Sequence, residues 1–322
     1  MGRLTVLAPG QWTTMQALAR CGVARFGITP GGAADVLSHR VANALVGNAD
    51  DAATIECTLV GPKLRFDSDV EIALCGADLG ARVANVDVPR WRAVWLRRGA
   101  VLEFGMPIRG ARAYLAIAGG IDVPAVLGNR STDRVGRFGG LEGRELRAGD
   151  VLDVDSTPFP GVRDDVTMIA SPRVAAWARE LDLVSTPVLR VVPRAHEGVD
   201  AGRVAAFVST EFVVDARSDR MGLRLAGPPL AGPRLDEQVS SPVVTGTVQL
   251  PPDGHPIVLL ADHQTTGGYP VLGELASVDV PRAAQLRPKD RVRFAWISVE
   301  EAQSRWLRFE TDLALLRAAV RA

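Results

Sequence analysis

The chain has 322 residues, a mass of 34.3 kDa and equal numbers of basic and acidic residues, 37 of each. Its composition, 47% hydrophobic and 23% charged, is that of a globular protein and excludes a disordered or fibrous one. A formal net charge of zero gives no overall field that would attract nucleic acid or anionic lipid. At about 100–200 residues per domain, the length predicts two domains.

Neither a membrane-spanning segment nor a secretion signal is expected. The longest uncharged run, residues 4–19, is 16 residues long and includes Pro9 and several polar residues, whereas a spanning helix needs about 20 apolar ones. The first residues lack an apolar core followed by a cleavage site. Three cysteines, an odd number without metal-ligand spacing, favour reduced thiols. These features together predict a soluble cytoplasmic protein.

Most of the predicted elements are short strands. Apolar runs bounded by turn-forming residues predict strands at 70–74, 113–118, 188–192 and 257–261. Helices are predicted at 35–46, at 173–183 after Ser171 and Pro172, and from Ser298 towards Val320, each opening on a capping residue. Because strands outnumber helices and do not alternate with them, we predict a mainly β architecture of barrel type, not a doubly wound sheet.

One short pattern occurs three times, at 96–102, 146–152 and 286–292, and consists of a polar turn followed by an alternating strand. Two explanations remain open, either the reuse of a common turn or the presence of two related lobes. The linker-like residues 156–161 favour a boundary near 156–172. We therefore predict a first lobe at 1–165 and a second lobe, with a C-terminal helix, at 166–322.

Several kinds of chemistry are excluded because their motifs are missing. The sequence lacks a Walker A lysine, a G-x-G-x-x-G after a strand, a G-x-S-x-G elbow and a biotin-carrying lysine within Ala-Met-Lys-Met. The four histidines have no compact ligand spacing, so no metal is expected. His255 and His263 lie eight residues apart around a predicted strand, and they are either exposed or satisfied in the core, or part of a site. Any cofactor is expected to come from outside the chain.

Polar side chains concentrate in three glycine-containing or turn-like loops. Residues 262–270 combine hydroxyls, an amide, a phenol and two glycines, which suits recognition of a planar amide or carboxylate by neutral donors. A hairpin turn with incidental polarity is the alternative. Residues 130–133 and 218–222 each bring together a hydroxyl, an acid and an arginine. Each of these two loops either binds an anion or carboxylate, or pairs its own acid and base.

Six stretches, taken in order, resemble one family. They are residues 13–16, 42–48, 127–133, 218–222, 246–251 and 264–270. Over about residues 4–302, the chain is similar to the carboxyltransferase-domain proteins named allophanate hydrolase subunit 2, which include the KipI antagonist and the C subunit of 5-oxoprolinase. The resemblance implies two tandem cyclophilin-like β-barrel lobes with a few short helices. It also implies a subunit 1 (KipI-like) partner and a separate hydrolase subunit.

The resemblance implies three functions. The first is the C subunit of an ATP-dependent 5-oxoprolinase, which opens 5-oxoproline to glutamate and in which the complex uses ATP. The second is a carboxyltransferase component that moves a carboxyl group from carboxybiotin on another protein to urea or a related amide. The third is a non-enzymatic antagonist of a kinase-inhibitor-like partner. No covalently bound cofactor is expected in any of them.

The site is expected mainly in the second lobe, because residues 16–20 lack the acid and glycine usual in the family's first motif. In the leading hypothesis Asp219 or Asp262 is the general base. The residues that orient the substrate amide and stabilise oxyanion character are Gln249, Gln264, Thr265 and Tyr269. Arg130 or Arg220 binds a carboxylate. The full set of predicted substrate-binding residues is Arg130, Ser131, Asp133, Ser218, Arg220, Gln249, Thr265, Thr266 and Gly267.

Overall fold

The computed structural model describes residues 2–155, 164–168, 186–194, 199–232 and 238–321. The chain divides into two compact units. Unit 1 comprises Met1–Arg20, Asp35–Asp182 and Glu310–Ala322, and unit 2 comprises Cys21–Ala34 and Leu183–Phe309. The predicted lobe boundary at 165/166 stays a prediction. The linker-like residues 156–161 and the helix predicted at 173–183 lie outside the described residues.

Unit 1 contains two antiparallel six-stranded sheets. The first is formed by β1 (Gly2–Ala8), β4 (Lys63–Phe66), β6 (Arg82–Val83), β7 (Val86–Asp87), β9 (Val101–Glu103) and β11 (Val151–Val154), in the order β11-β1-β4-β9-β6-β7. The second is formed by β2 (Thr14–Gln16), β3 (Thr54–Thr58), β5 (Val70–Asp78), β8 (Ala93–Leu96), β10 (Arg109–Ile117) and β12 (Val166–Met168), in the order β12-β8-β5-β10-β3-β2. The strands predicted at 70–74 and 113–118 are confirmed as parts of β5 and β10.

Helix α1 (Val36–Leu45) covers β5 and β10 of the second sheet. Its N-cap is Asp35, whose carboxylate accepts hydrogen bonds from the Ser38 backbone N at 2.8 Å and from the Ser38 hydroxyl at 2.6 Å. Apolar side chains at helical spacing, among them Leu37 and Val41, are buried. The helix predicted at 35–46 is therefore confirmed, and its boundaries follow from its capping residue and from the left-handed Gly47 that follows it.

Unit 2 is built around a closed seven-stranded barrel. Its strands are β13 (Val188–Pro193), β14 (Phe212–Val214), β15 (Gly222–Ala226), β17 (Thr247–Gln249), β18 (Ile257–Leu259), β20 (Val271–Leu275) and β21 (Arg291–Trp296), in the order β13-β20-β17-β18-β15-β14-β21. The barrel closes through the parallel pair β13 and β21. Phe207 of helix α2 (Ala201–Ser209) stacks on Phe294 in the barrel core, with ring centroids 4.4 Å apart. This confirms the predicted mainly β, barrel-type architecture.

Shorter elements complete unit 2. A 3₁₀ turn lies at Ala24–Phe26, β16 (Ser241–Pro242) pairs with β19 (Thr266–Gly267), and helix α3 occupies Val280–Ala284. Helix α4 (Val299–Arg321) is capped by the Ser298 hydroxyl, which accepts from the Glu301 backbone N at 3.1 Å, as the capping-box spacing predicts. Of the helices in the described ranges, none combines the length and the apolar character that crossing a membrane requires.

The last residues of α4 belong to unit 1, where two charged contacts hold them. Arg40 donates to the Glu310 carboxylate at 2.6 and 2.9 Å through its two terminal nitrogens. Arg317 forms an ion pair with Asp50, which also pairs with Arg40. Because one carboxylate serves two arginines here, the C-terminal segment is tied to α1 and to the loop that follows it.

The threefold sequence pattern forms three turns of the same kind. In each, a backbone N–H donates to the carbonyl three residues earlier, from Ala100 to Arg97, from Asp150 to Arg147 and from Asp290 to Arg287. The residue before each donor is left-handed, with φ of 84° at Gly99, 92° at Gly149 and 76° at Lys289. A strand follows each turn directly or within one residue. The third turn therefore places a lysine where the other two have glycine.

Candidate functional site in unit 2

The polar loop at 262–270 follows β18 on the barrel of unit 2. A short hairpin anchors it, since β19 within the loop pairs with β16. Two further backbone bonds hold the loop to the same segment, with Val243 N donating to Thr265 O at 3.2 Å and Gln238 N donating to Gly268 O at 2.7 Å. These bonds fix the backbone of the loop. Because these bonds use backbone groups only, the side chains of the loop can contact one another or a ligand.

A glutamine of this loop, Gln264, is hydrogen-bonded to a buried glutamine of the barrel, Gln249. Gln249, at the end of β17, is 2% exposed, and its Oε1 accepts a hydrogen bond from Gln264 Nε2 at 3.3 Å. Within the part of the chain that the structure describes, the buried Gln249 Nε2 has no acceptor. An unsatisfied buried amide donor costs about 1–3 kcal/mol. A carbonyl oxygen of a ligand would satisfy it, which is the chemistry predicted for this loop.

Gly267 lies directly against the Gln249 amide. A Cβ built on this glycine would lie 2.3 Å from Gln249 Nε2 and 3.5 Å from Gln264 Nε2. The position therefore excludes any side chain, and the loop backbone approaches the amide more closely than another residue would permit. Of the neighbouring predicted residues, Thr265 and Tyr269 are half-buried and Thr266 is exposed.

His263, in the same loop, carries a hydrogen-bond acceptor without a partner among the described residues. It is 1% exposed, and its Nδ1 is bonded to the Gln264 carbonyl oxygen. Because a carbonyl only accepts, Nδ1 carries the proton and Nε2 carries the lone pair. Burial lowers the pKa of His263, so the imidazole is neutral at pH 7. Nε2 is buried and has no partner among the described residues, and it is thus available as a hydrogen-bond acceptor or base.

Arg220 and Asp262 form a buried ion pair at the start of the same loop. Arg220 Nε donates to Asp262 Oδ2 at 2.8 Å and Nη2 donates to Oδ1 at 3.1 Å. The same Nη2 donates to the Gly32 carbonyl at 2.6 Å. The pair is bidentate and largely shielded from solvent, with side-chain exposures of 7% and 11%. Two residues predicted to serve as a carboxylate ligand and as a base are therefore bound to each other.

Ser218 and Asp219 organise the turn that leads into β15. Asp219 Oδ1 accepts from the backbone N of Met221 at 2.8 Å and of Gly222 at 3.2 Å. The Ser218 hydroxyl accepts from the Arg224 backbone N at 3.0 Å. Asp219 is exposed. Arg220 therefore pairs with Asp262 of the 262–270 loop and not with its neighbour Asp219. The Asp219 carboxylate accepts hydrogen bonds from backbone N–H groups instead.

The three predicted residues from the 130–133 loop lie in unit 1. The Ser131 hydroxyl accepts from Ala17 N at 2.9 Å, and the Ser131 carbonyl accepts from Arg20. Asp133 Oδ1 accepts from Gly136 N at 2.7 Å. Ser131 and Asp133 thus fix the loop. Arg130 is half-buried and has no hydrogen-bond or ion-pair partner within the described ranges.

Sequence reasoning left His263 out of the predicted set, although it weighed a site role for this residue. The available signal was its position between Asp262 and Gln264 in a loop already selected for its polarity. Its burial and its fixed tautomer arise from tertiary contacts. No group of three or more His, Cys, Asp or Glu side chains in the described residues has the arrangement of a metal site.

The comparisons with known proteins place the chain in a family. The family model described as carboxyltransferase domain, subdomain A and B, matches residues 26–296. The chain belongs to the carboxyltransferase domain family. It is 36% identical over 305 residues to the C subunit of the 5-oxoprolinase of Escherichia coli strain K12, with 93% of each chain covered. It is 32% identical to the corresponding 5-oxoprolinase C subunit of Haemophilus influenzae, covering 90% of this chain and 89% of that protein.

Solved structures show the same fold. The crystal structure of the Kluyveromyces lactis urea amidolyase matches 98% of this chain with a TM-score of 0.85 and 28% sequence identity. The chain corresponds to 20% of that much longer protein. The crystal structure of the Kluyveromyces lactis urea carboxylase matches with the same TM-score of 0.85 and corresponds over 29% of its length. These relatives are enzymes or enzyme subunits, in agreement with the predicted class.

Proposed function

We propose that this chain is the C subunit of an ATP-dependent 5-oxoprolinase, which opens 5-oxoproline to glutamate together with a KipI-like subunit and a separate hydrolase subunit. The observation that carries the proposal is the nearly full-length match to two bacterial proteins, each named as the C subunit of a 5-oxoprolinase. A cytoplasmic location belongs to the same proposal, because the reaction consumes ATP. The ATP supplies the free energy for opening a stable lactam.

The buried donor and acceptor of unit 2 support recognition of a lactam. The ring of 5-oxoproline presents a carbonyl oxygen, which accepts hydrogen bonds, and a ring N–H, which donates one. Gln249 Nε2 is an unsatisfied donor and His263 Nε2 an unsatisfied acceptor among the described residues. In the proposed roles, Gln249 donates to the carbonyl oxygen and stabilises the negative charge that develops there as water adds. Gln264, Thr265 and Tyr269 orient the ring.

His263 is proposed as the group that handles the proton. Addition of water to the carbonyl and cleavage of the C–N bond yield a carboxylate and an amine, so a proton passes from the attacking water to the departing nitrogen. A neutral imidazole with a free Nε2 accepts that proton and returns it. Asp219 and Asp262 stay the predicted alternatives. Asp262 would first have to leave Arg220, and Arg220 would have to leave Asp262 to bind the substrate carboxylate.

Reconstitution tests the function. The chain is combined with its KipI-like and hydrolase subunits, and ATP-dependent release of glutamate from 5-oxoproline is measured with and without it. We expect activity to depend on the chain, and we expect Gln249→Ala and His263→Gln each to lower it by about 100-fold.

His255→Gln is the matched control, since His255 is more exposed and lies in the same unit. Asp219→Asn and Asp262→Asn identify the base if His263→Gln retains full activity. Unchanged activity without the chain would refute the proposal.

A second function is supported by the structural likeness to the urea amidolyase and urea carboxylase of Kluyveromyces lactis. In this alternative the chain transfers a carboxyl group from carboxybiotin, held on a partner protein, to urea or a related amide. The test is carboxylation of urea with a carboxybiotin-bearing carrier when the three-component mixture releases no glutamate. Tight binding of the KipI-like subunit with neither turnover would identify the chain as an antagonist of that partner.

A further inference from the structure

Unit 1 contains a cavity with an unusual density of arginines. It has a volume of 620 Å³, within the range of about 300–1,000 Å³ typical of small-molecule sites. Its charged lining residues are Arg134, Arg137, Glu142, Arg144, Glu145 and Arg147. Four cations therefore face two anions. None of these residues belongs to the candidate site of unit 2.

Two of the four arginines are neutralised by neighbouring acids. Arg144 donates to both oxygens of Asp150, at 2.7 and 2.9 Å, and also pairs with Glu142 at 3.0 Å. Arg134 pairs with Glu145 at 2.8 Å. These contacts account for the acids of the cavity wall. The paired acids also reduce the repulsion between the neighbouring arginines.

The other two arginines have no bonded counter-ion in the described part of the chain. Arg137 and Arg147 are exposed, and neither guanidinium forms a hydrogen bond or a close ion pair there. Asp150, which bonds to Arg144, also attracts Arg147 from a longer distance. An arginine fork matches the geometry of phosphate oxygens, to which it donates two parallel hydrogen bonds. The cavity thus presents two guanidinium groups without a hydrogen-bonded acid beside two that are paired with acids.

The loop that carries Arg137 is held in a constrained conformation. Arg137 has a φ of 55°, in the left-handed region that non-glycine residues seldom occupy. A Cβ built on Gly143 would lie 2.1 Å from the Arg137 carbonyl carbon, so the two backbone segments are in direct contact. Asp133 and Phe138 bracket the turn with reciprocal backbone hydrogen bonds at 2.8 and 3.2 Å. The backbone therefore fixes the position from which Arg137 projects.

We propose that this arginine pocket binds a small anion that carries several phosphate groups. The proposal rests on the cavity, on its two unpaired guanidinium groups and on its fixed walls, and it is independent of the function proposed for unit 2. A nucleoside triphosphate and an inorganic polyphosphate share the recognised chemistry. A pocket of this size accommodates either one.

Calorimetric titration of the full chain tests the proposal, with tripolyphosphate, ATP and citrate as ligands at matched ionic strength. We expect saturable binding of tripolyphosphate at one site per chain, and binding at least about tenfold weaker in the Arg137→Gly, Arg147→Gln double variant. Glycine at 137 relieves the left-handed backbone, so the variant keeps its fold, which an unchanged melting temperature verifies. Tighter binding of ATP than of tripolyphosphate would identify a nucleotide, and equal binding would identify the phosphate chain alone.

Arg97→Gln is the matched control. Arg97 occupies the position of Arg147 in the equivalent turn, is likewise exposed, and does not line the cavity. We expect this variant to bind tripolyphosphate as the wild type does. Absence of saturable binding, an equal loss in Arg97→Gln, or citrate binding as tight as that of tripolyphosphate would each overturn the proposal.

Discussion

The hydroxyl of Tyr114 donates to the Glu56 carboxylate at 2.7 Å, and both residues have 0% solvent exposure in the core of unit 1. The same oxygen accepts from the Asp35 backbone N at 2.7 Å. One phenol therefore connects β10, β3 and the start of α1. Burial raises the pKa of Tyr114, so the hydroxyl keeps its proton and remains a donor. Arg112 Nε, 3.9 Å from Glu56 Oε1, provides the nearby positive charge.

Replacement of Tyr114 by Phe removes this connection. The buried carboxylate and the Asp35 N–H each lose a partner, so we expect the free energy of unfolding to fall by about 1–3 kcal/mol. Urea denaturation at pH 7 measures it. Tyr269→Phe is the control, because Tyr269 is half-buried and its hydroxyl makes no hydrogen bond to the described residues. Equal stability of the two variants would show that the phenol makes no net contribution to the core.

The buried His39 makes stability depend on pH. Burial lowers its pKa from 6.5 to about 4. The folded state therefore keeps His39 neutral while the unfolded chain takes up a proton below pH 6.5. The contribution is complete above that pH and is lost progressively as the pH falls towards 4, by up to about 3 kcal/mol. His263, whose pKa is also lowered by burial, acts in the same direction.

Urea denaturation at pH 8 and pH 5 measures the effect of His39. We expect His39→Gln to be less stable at pH 8, because it loses the bonds to Thr54 and to the Asp50 carbonyl, yet to lose less stability between the two pH values. His255→Gln should retain the wild-type difference. A His39→Gln variant with the full wild-type difference would contradict the assignment.

The Arg220–Asp262 pair predicts a strong effect of removing one partner. Arg220→Met leaves the Asp262 carboxylate shielded from solvent without its cation, and we expect a loss of about 3–5 kcal/mol in unfolding free energy. Arg217→Met is the comparison. Arg217 also forms a bidentate pair, with Asp215, but its side chain is 77% exposed. A much smaller loss is expected there, because solvent screens an exposed ion pair. Similar losses in both variants would mean that burial does not determine the energetics of these pairs.

The turn at Lys289 offers a stabilising substitution. Left-handed backbone costs a non-glycine residue about 1–2 kcal/mol, and part of the gain from glycine is offset by its greater freedom in the unfolded chain. We expect Lys289→Gly to raise the free energy of unfolding by about 0.5–1 kcal/mol. Gly149→Ala, in the equivalent turn of unit 1, should lower it, since a Cβ there meets no atom within 4 Å and only the backbone is strained. Thermal denaturation of both variants measures the two effects. We expect the melting temperature to rise for Lys289→Gly and to fall for Gly149→Ala, and a shift in the same direction for both would contradict the prediction.

Signals that act within a few residues predicted their structures well. Asp35 and Ser298 cap their helices through donors three residues ahead, and such bonds require only local geometry. The apolar runs at 70–74 and 113–118 form buried strands of β5 and β10. They were predictable because their composition and the turn-forming residues around them are local signals. The repeated turns also formed as the pattern indicates, although the sequence alone does not distinguish a common turn from two related lobes.

Features that depend on distant residues were not predictable. Arg220 lies close in sequence to Asp219, yet it pairs with Asp262, 42 residues away, because β15 and β18 are neighbours in the barrel. The tautomer of His263 and the unsatisfied amide of Gln249 likewise follow from packing. Glu56 lies in a run of mainly apolar residues, and its partner Tyr114 is supplied by β10 through strand pairing.

Neither unit is a continuous stretch of chain. Unit 2 takes Cys21–Ala34 from between two segments of unit 1, and unit 1 takes its last segment, Glu310–Ala322, after all of unit 2. On a ribosome, where most domains fold in order as they emerge, the charges of Glu310 and Arg317 reach Arg40 and Asp50 only after all of unit 2 has been made. Unit 1 therefore begins to emerge before unit 2 and is completed after it. A translation stop shortly before residue 310 would leave a product in which unit 1 lacks the segment that carries Glu310 and Arg317.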